Sequence, residues 1–89
     1  DEAPPTETIE LDQDRFISLE FSRRWPRYVV EWSVRQRSSD FDFPLASNTL
    51  ERPPLPAGGD AEALWGELRE EALTQARQAL EGKQRRSEA

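Results

Sequence analysis

The stretch RFISLEFSRRWPRYVVEWSVRQR, residues 15–37, decides the fold of this 89-residue chain. Both of its halves alternate apolar with polar side chains, as strands with one buried face do. The apolar positions are Ile17, Leu19, Phe21, Tyr28, Val30, Trp32 and Val34. Pro26 lies between the halves, and proline cannot donate to a strand ladder, so it indicates a turn. The stretch predicts an antiparallel hairpin of strands at about residues 15–23 and 27–37, joined by a loop of three to five residues.

Two weaker patterns flank the hairpin. In residues 7–12, Ile9 and Leu11 alternate with acidic residues, which predicts a short strand. In residues 41–45 two phenylalanines and a leucine alternate with Asp and Pro. This segment is either an edge strand or an irregular segment held by its phenylalanines, because proline argues against a central strand.

The C-terminal third of the chain predicts one long helix. Residues 46–59 are a proline-rich linker, and Asp60 is placed to cap a helix over residues 60–82 that ends at Gly82. One apolar stripe follows helical spacing: Ala61, Leu64, Trp65, Leu68, Ala72, Ala76 and Ala79. Residues 1–6 are expected to be a flexible acidic lead and residues 83–89 a frayed tail.

Burial joins these elements into a single domain over residues 7–82, because the hairpin and the helix each have one apolar face to cover. The predicted fold class is α+β: a small antiparallel β-meander of three to four strands, followed by one long C-terminal amphipathic helix packed on one face. In this fold Leu19, Phe21, Val30 and Trp32 meet Leu64, Trp65 and Leu68.

Several function classes are disfavoured by composition. The chain has no cysteine and no histidine, which excludes disulfides, Cys/His zinc sites and catalysis by a cysteine or a histidine. A calcium loop beginning at Asp12 would need Gly and Glu where the chain has Ile17 and Arg23. No apolar run reaches the roughly 20 residues of a membrane helix. We expect a chain that is not an enzyme, with no cofactor, no metal and no membrane span.

Charge is distributed unevenly along the chain, whose net charge is −6. Residues 1–14 carry six acids and no base, whereas residues 15–37 carry six arginines and two glutamates. The candidate partner-binding residues are Arg23, Arg24, Trp25, Arg27, Tyr28, Arg35 and Trp65. Arginine binds carboxylates and phosphates in a bidentate manner, and tryptophan supplies contact area. The alternative is that Trp25 folds back on the core while the arginines pair with the acidic N-terminal segment.

The sequence favours a non-catalytic protein-interaction or accessory module that binds another protein, or itself, through the hairpin tip or the alanine-rich helix face. One alternative is a small nucleic-acid-binding domain that uses the arginine face of the sheet, which the net charge disfavours. Another is a structural subunit of a larger assembly. RPPLP, residues 52–56, fits either a polyproline ligand or a stiff spacer. The chain begins with Asp1 rather than Met, and both a cytoplasmic and an exported mature chain fit the sequence.

Overall fold

The computed structural model describes residues 3–38 and 43–88, with the backbone alone for residues 83–88. The elements in chain order are β1 (Glu7–Glu10), β2 (Arg15–Arg24), β3 (Arg27–Gln36), β4 (Ala46–Arg52) and α1 (Ala61–Glu88). The strands form one antiparallel sheet in the order β1-β2-β3-β4. The helix lies against one face of this sheet, so the predicted α+β meander with a C-terminal helix is confirmed.

The central hairpin places its apolar positions opposite one another. Ile17 pairs with Val34, Leu19 with Trp32, and Phe21 with Val30. Because neighbouring residues of a strand point to opposite faces, this register puts every one of these side chains on the helix side of the sheet. The hairpin and helix residues that were predicted to meet belong to one hydrophobic core between the sheet and the helix. Ile17, Leu19, Val30 and Val34 are fully buried in it.

The helix covers this apolar face with the predicted stripe. Leu68, Ala72 and Ala76 are fully buried, and the small alanines let the helix lie close to the sheet. A polar contact also joins the two layers, because Trp32 Nε1 donates to Gln75 Oε1 at 3.1 Å. Asp60 caps the helix as predicted: its Oδ1 accepts from the backbone N–H groups of residues 62 and 63, at 3.0 and 3.3 Å.

The fourth strand lies at Ala46–Arg52, inside the segment predicted to be linker, and not at 41–45. Residues 43–45 precede the strand, and residues 41 and 42 lie outside the described part of the chain. The strand is an edge strand whose core-facing positions include the polar Asn48, opposite Trp32. Asn48 Nδ2 donates to Gln75 Oε1 at 3.2 Å, so this position is satisfied by a hydrogen bond instead of apolar burial. Because Asn48 is polar, the sequence of β4 lacks the regular apolar–polar alternation by which a strand is predicted.

The hairpin loop is shorter than predicted. β2 continues through Arg24 and β3 begins at Arg27, so the loop consists of Trp25 and Pro26. The Trp25–Pro26 peptide bond is cis, which is the geometry of a tight turn with proline in its third position.

Two further boundaries differ from the prediction. β1 ends at Glu10, because the N–H groups of Leu11 and Asp12 turn to the carbonyl of Arg15. The helix runs past Gly82 to Glu88, so the expected tail is helical over most of its length. One glycine costs a helix only about 1 kcal/mol, and the lysine, glutamine and arginines that follow are good helix formers.

Candidate docking site at the hairpin tip

Trp25 stands at the tip of the hairpin with 84% of its surface exposed. It therefore does not fold back on the core, which was one of the two sequence-based alternatives. The other large apolar side chain that is exposed in the described residues, Phe43, lies in the segment before β4, at the opposite end of the sheet, with 79% exposed. Among the described residues, one largely exposed aromatic ring thus lies at each end of the sheet.

Trp25 is connected to the core through Arg23. The guanidinium carbon of Arg23 lies 5.2 Å from the ring centroid of Trp25 and 3.9 Å from that of Tyr28. Tyr28 in turn packs edge-on against Trp65, with ring centroids 5.2 Å apart. We call this series, Trp25–Arg23–Tyr28–Trp65, the aromatic column. It links an exposed ring to a ring in the core, and it joins four of the sequence-predicted site residues.

Cation–π contacts rather than a full set of hydrogen bonds hold the guanidinium of Arg23. One of its terminal nitrogens donates to the carbonyl of Pro26 at 3.2 Å. Its Nε is buried and has no hydrogen-bond partner among the described residues. A planar guanidinium loses less by this arrangement than an ammonium would, because it is more weakly hydrated and stacks on rings.

The predicted arginine cluster is divided between the two faces of the sheet. Arg23 lies on the helix side, whereas Arg24 and Arg27 face each other across the hairpin on the outer side. Both outer arginines reach Glu51 of β4, with nitrogen–oxygen distances of 3.8 and 3.1 Å. Their acidic partner is therefore β4 and not the N-terminal segment. Sequence spacing alone could have separated Arg23 from Arg24, because adjacent residues of a strand point to opposite faces.

The outer face that carries Arg35 has balanced charge. Arg37 pairs with Glu10, and its guanidinium stacks on Phe16 at 4.7 Å. Arg35 lies on the same face and donates its Nε to Ser33 Oγ at 3.3 Å. By strand parity the face carries four acids and four bases, namely Glu10, Glu20, Glu31, Glu51, Arg24, Arg27, Arg35 and Arg37. The arginines here are accompanied by an equal number of carboxylates.

Asp12 and Glu10, in the acidic N-terminal segment, are engaged by arginines outside the hairpin tip. Asp12 Oδ1 accepts from the backbone N–H groups of Arg15 and Asp14, and its Oδ2 pairs with the Arg15 side chain at 2.8 Å. These bonds, led by the backbone donor of Arg15, lower the pKa of Asp12 to about 2. Hydrogen bonding from Arg37 likewise lowers the pKa of Glu10.

An open apolar groove of about 310 Å³ lies beside the aromatic column on the helix side. Pro4, Pro5, Phe21, Trp65 and Gly66 line it. The rings of Phe21 and Trp65 meet edge-on there, with centroids 5.8 Å apart. Sequence reasoning missed this feature, because the prolines were assigned to a flexible lead. Two adjacent prolines before a strand were the available signal.

An ion pair closes one side of this groove. Arg69 of the helix donates two hydrogen bonds to the carboxylate of Glu7 in β1, at 2.9 and 2.7 Å. The side-chain hydrogen bonds lower the pKa of Glu7 and raise that of Arg69. The pair ties the first strand to the helix at this end of the groove.

The RPPLP segment is attached to the domain at two points. Arg52 forms an ion pair with Glu71 of the helix, and Leu55 packs against the core. Pro53, Pro54 and Pro56 are exposed. Since its arginine and its leucine are both engaged, the segment has the contacts of a spacer that crosses from sheet to helix.

The described residues contain no group of three or more acidic side chains placed to hold a metal ion. In this part of the chain no helix has both the length and the apolar character that crossing a membrane requires. Comparison with known protein families, with curated proteins and with solved structures finds no match.

Proposed function

We propose that this chain is a non-catalytic protein-interaction module that docks through the tip of its central hairpin. The observation that carries the proposal is the exposure of Trp25 at the end of the aromatic column. An indole ring that is 84% exposed contributes little to the fold beyond its contact with Arg23, whereas burial at an interface would use its whole apolar surface.

The column also makes Trp25 a prepared anchor. Binding costs free energy for every side chain that must be immobilised, roughly 0.5–1.5 kcal/mol for a flexible one. Arg23 already holds the ring of Trp25 against Tyr28, which is itself buried. A partner therefore meets a ring whose orientation is partly fixed. Tryptophan, tyrosine and arginine are the residue types most enriched in interface hot spots.

The nucleic-acid alternative remains a prediction, and the balanced outer face weighs against it. Arg24, Arg27 and Arg37 are paired with carboxylates, so phosphate contacts would require these ion pairs to break. Titration of a fluorescent single-stranded oligonucleotide at several salt concentrations tests it. Phosphate contacts would make affinity fall steeply with salt, and no binding at low salt would end this alternative.

The assembly-subunit alternative also remains a prediction. It supposed that another chain completes the core, and the helix here covers the sheet, with Leu68, Ala72 and Ala76 fully buried within the chain itself. This burial supports a domain whose core is closed without a partner, which directs attention to the exposed tip.

A site-specific crosslinking experiment tests the tip. A photoreactive benzophenone amino acid, whose aromatic rings keep an apolar anchor at the tip where alanine does not, is placed at position 25 and, as the matched control, at position 43. Each chain is irradiated in an extract of the source cells. We expect discrete crosslinked products from position 25 that are missing from position 43. Competition with unlabelled chain should remove them, whereas competition with the Trp25→Ala chain should not.

A charge-reversal variant tests whether the arginines of the tip take part in docking. A chain in which Arg23, Arg24 and Arg27 are replaced by glutamate should compete poorly, provided that near-UV circular dichroism shows fixed tryptophan environments. Competition equal to that of the unchanged chain, by this variant and by Trp25→Ala alike, would refute docking through the tip.

A further inference from the structure

We propose that the partner of the hairpin tip is a second copy of this chain, with Trp25 of each protomer inserted into the groove of the other. The groove is the one lined by Pro4, Pro5, Phe21, Trp65 and Gly66. This inference rests on the proposed function, since it names the partner that the tip binds.

The exposed ring and the groove lie on the same side of the sheet. Arg23 contacts Trp25 and lies on the helix-facing side of β2, as Phe21 does. Phe21 precedes Trp25 by four residues, which at about 3.3 Å per residue places the groove roughly 13 Å from the tip. In a two-fold symmetric dimer, the same surface of both protomers forms the interface. Trp25 of each protomer can therefore enter the groove of the other, which gives two equal contacts.

The groove is suited to one aromatic side chain. Its volume of about 310 Å³ is at the small end of ligand sites, which span roughly 300–1,000 Å³, and it is large enough to receive one aromatic ring. Its lining offers edge and face contacts from Phe21 and Trp65 together with two proline rings. Aromatic rings prefer such edge-to-face contacts with an incoming ring.

Charge favours the same pairing. Residues 22–28 carry three arginines and no acid, and with Glu51, which pairs with Arg24 and Arg27, the tip keeps a local charge of +2. The start of the helix beside the groove is acidic: residues 60–71 carry five acids and one arginine, for −4, and with Arg52, which pairs with Glu71, this region keeps −3. When the tip of one copy approaches the groove of the other, opposite charges meet at both contacts, which steers and orients association. The net charge of −6 on each chain opposes association at long range, so we expect a weak dimer.

The oligomeric state of four chains tests the inference. Sedimentation equilibrium and light scattering follow the unchanged chain, Trp25→Ala, Gly66→Leu and the control Phe43→Ala, up to about 1 mM, where Kd values of that order become visible. We expect the unchanged chain and Phe43→Ala to dimerise alike. Trp25→Ala should weaken the dimer about a thousandfold, because each dimer loses two anchors.

Gly66→Leu fills the groove without harming the fold. A Cβ at Gly66 meets no other atom within 4 Å, and leucine is a better helix former than glycine. We expect this variant to be monomeric and at least as stable as the unchanged chain. Gln78→Leu is its control, because it adds the same side chain to an exposed position farther along the helix; this control should dimerise normally.

A mixture separates the proposed geometry from other dimers. Trp25→Ala keeps its groove and Gly66→Leu keeps its ring, so a mixed dimer retains one of the two contacts. We expect the mixed dimer to be about thirtyfold weaker than the unchanged dimer and about thirtyfold tighter than either variant alone, because one of two equal contacts remains. A mixture that associates no better than either variant alone, at a concentration where the unchanged chain is fully dimeric, would overturn the reciprocal insertion.

An unchanged chain that is monomeric at every concentration would overturn this inference outright. The proposed function has its own readout, the crosslinks from position 25 in cell extract. If those crosslinks join this chain to a different protein while the purified chain stays monomeric, tip docking is supported and self-association is refuted. If crosslinks and dimer are both missing, both proposals fail.

Discussion

Truncation to alanine should destabilise this chain far more at one of its tryptophans, Trp65, than at another, Trp25. Trp65 is 7% exposed and contacts Phe21 and Tyr28 edge-on, whereas Trp25 is 84% exposed. A buried aromatic side chain removes about 150–250 Å² from water, which at about 25 cal/mol per Å² amounts to roughly 4–6 kcal/mol. Partial relaxation around the cavity brings the usual cost of Trp→Ala in a core to about 3–5 kcal/mol.

The expected loss for Trp65→Ala is therefore a large share of the stability of the domain. At roughly 0.05–0.15 kcal/mol per residue, a chain of this length has about 4–13 kcal/mol. Trp25→Ala should cost less than about 1 kcal/mol, because an exposed cation–π contact with Arg23 contributes about 0.5–1 kcal/mol.

Urea denaturation followed by far-UV circular dichroism measures both losses, and the slope against urea must stay the same for the comparison to hold. If Trp25→Ala destabilises the chain as much as Trp65→Ala, the tip belongs to the core and the assignment of Trp25 as a docking residue is wrong. If Trp65→Ala costs less than about 1 kcal/mol, Trp65 does not pack the helix onto the hairpin.

Three further substitutions test the local arguments. Gly66→Ala should raise the free energy of unfolding by about 1 kcal/mol, measured in urea, because its Cβ meets nothing within 4 Å; a loss would show that the groove needs glycine. Asp60→Ala should lower it by about 1 kcal/mol, and Asp60→Asn should restore most of this if the side chain is the helix cap. Asp12 has its pKa lowered from 3.8 to about 2, so its ionised form stabilises the fold above pH 3.8. The melting temperature of Asp12→Asn should be lower than that of the unchanged chain near pH 7, and this difference should shrink as pH falls through about 2; a difference that does not change with pH would refute the role of the charge.

The central hairpin and the helix were predictable because each has a strong, regular apolar pattern. Ile17, Leu19 and Phe21 alternate with polar residues on their strand, where Phe16 is the exception, and the stripe around Leu68 repeats at helical spacing. β4 escaped prediction because its core-facing residues include Asn48, which is satisfied by Gln75 from a distant helix. A pairing of two amides separated by 27 residues leaves no local signal.

The candidate site was predictable in its residue types but not in its geometry. The composition of the tip identified Arg23, Trp25 and Tyr28, which the structure brings into one column. Arg23 and Arg24 lie on opposite faces of the sheet, because neighbouring residues of a strand alternate between the faces. The composition of the tip alone does not reveal this separation. The groove forms because Pro4 and Pro5 lie beside Phe21 in the folded chain. No sequence pattern links these two segments, so their contact could not be predicted.

The prolines at the two margins of the sheet have a consequence for how strands from other molecules can add to it. Pro4 and Pro5 lie just before β1, and Pro53 and Pro54 follow β4 directly, all at the end of the sheet that carries the hairpin tip. Proline offers no N–H for a ladder, and natural sheets use it to prevent edge-to-edge growth. A ladder extended beyond β1 or β4 at this end would therefore lack its donors, which disfavours strand addition there and leaves side chains as the main contacts.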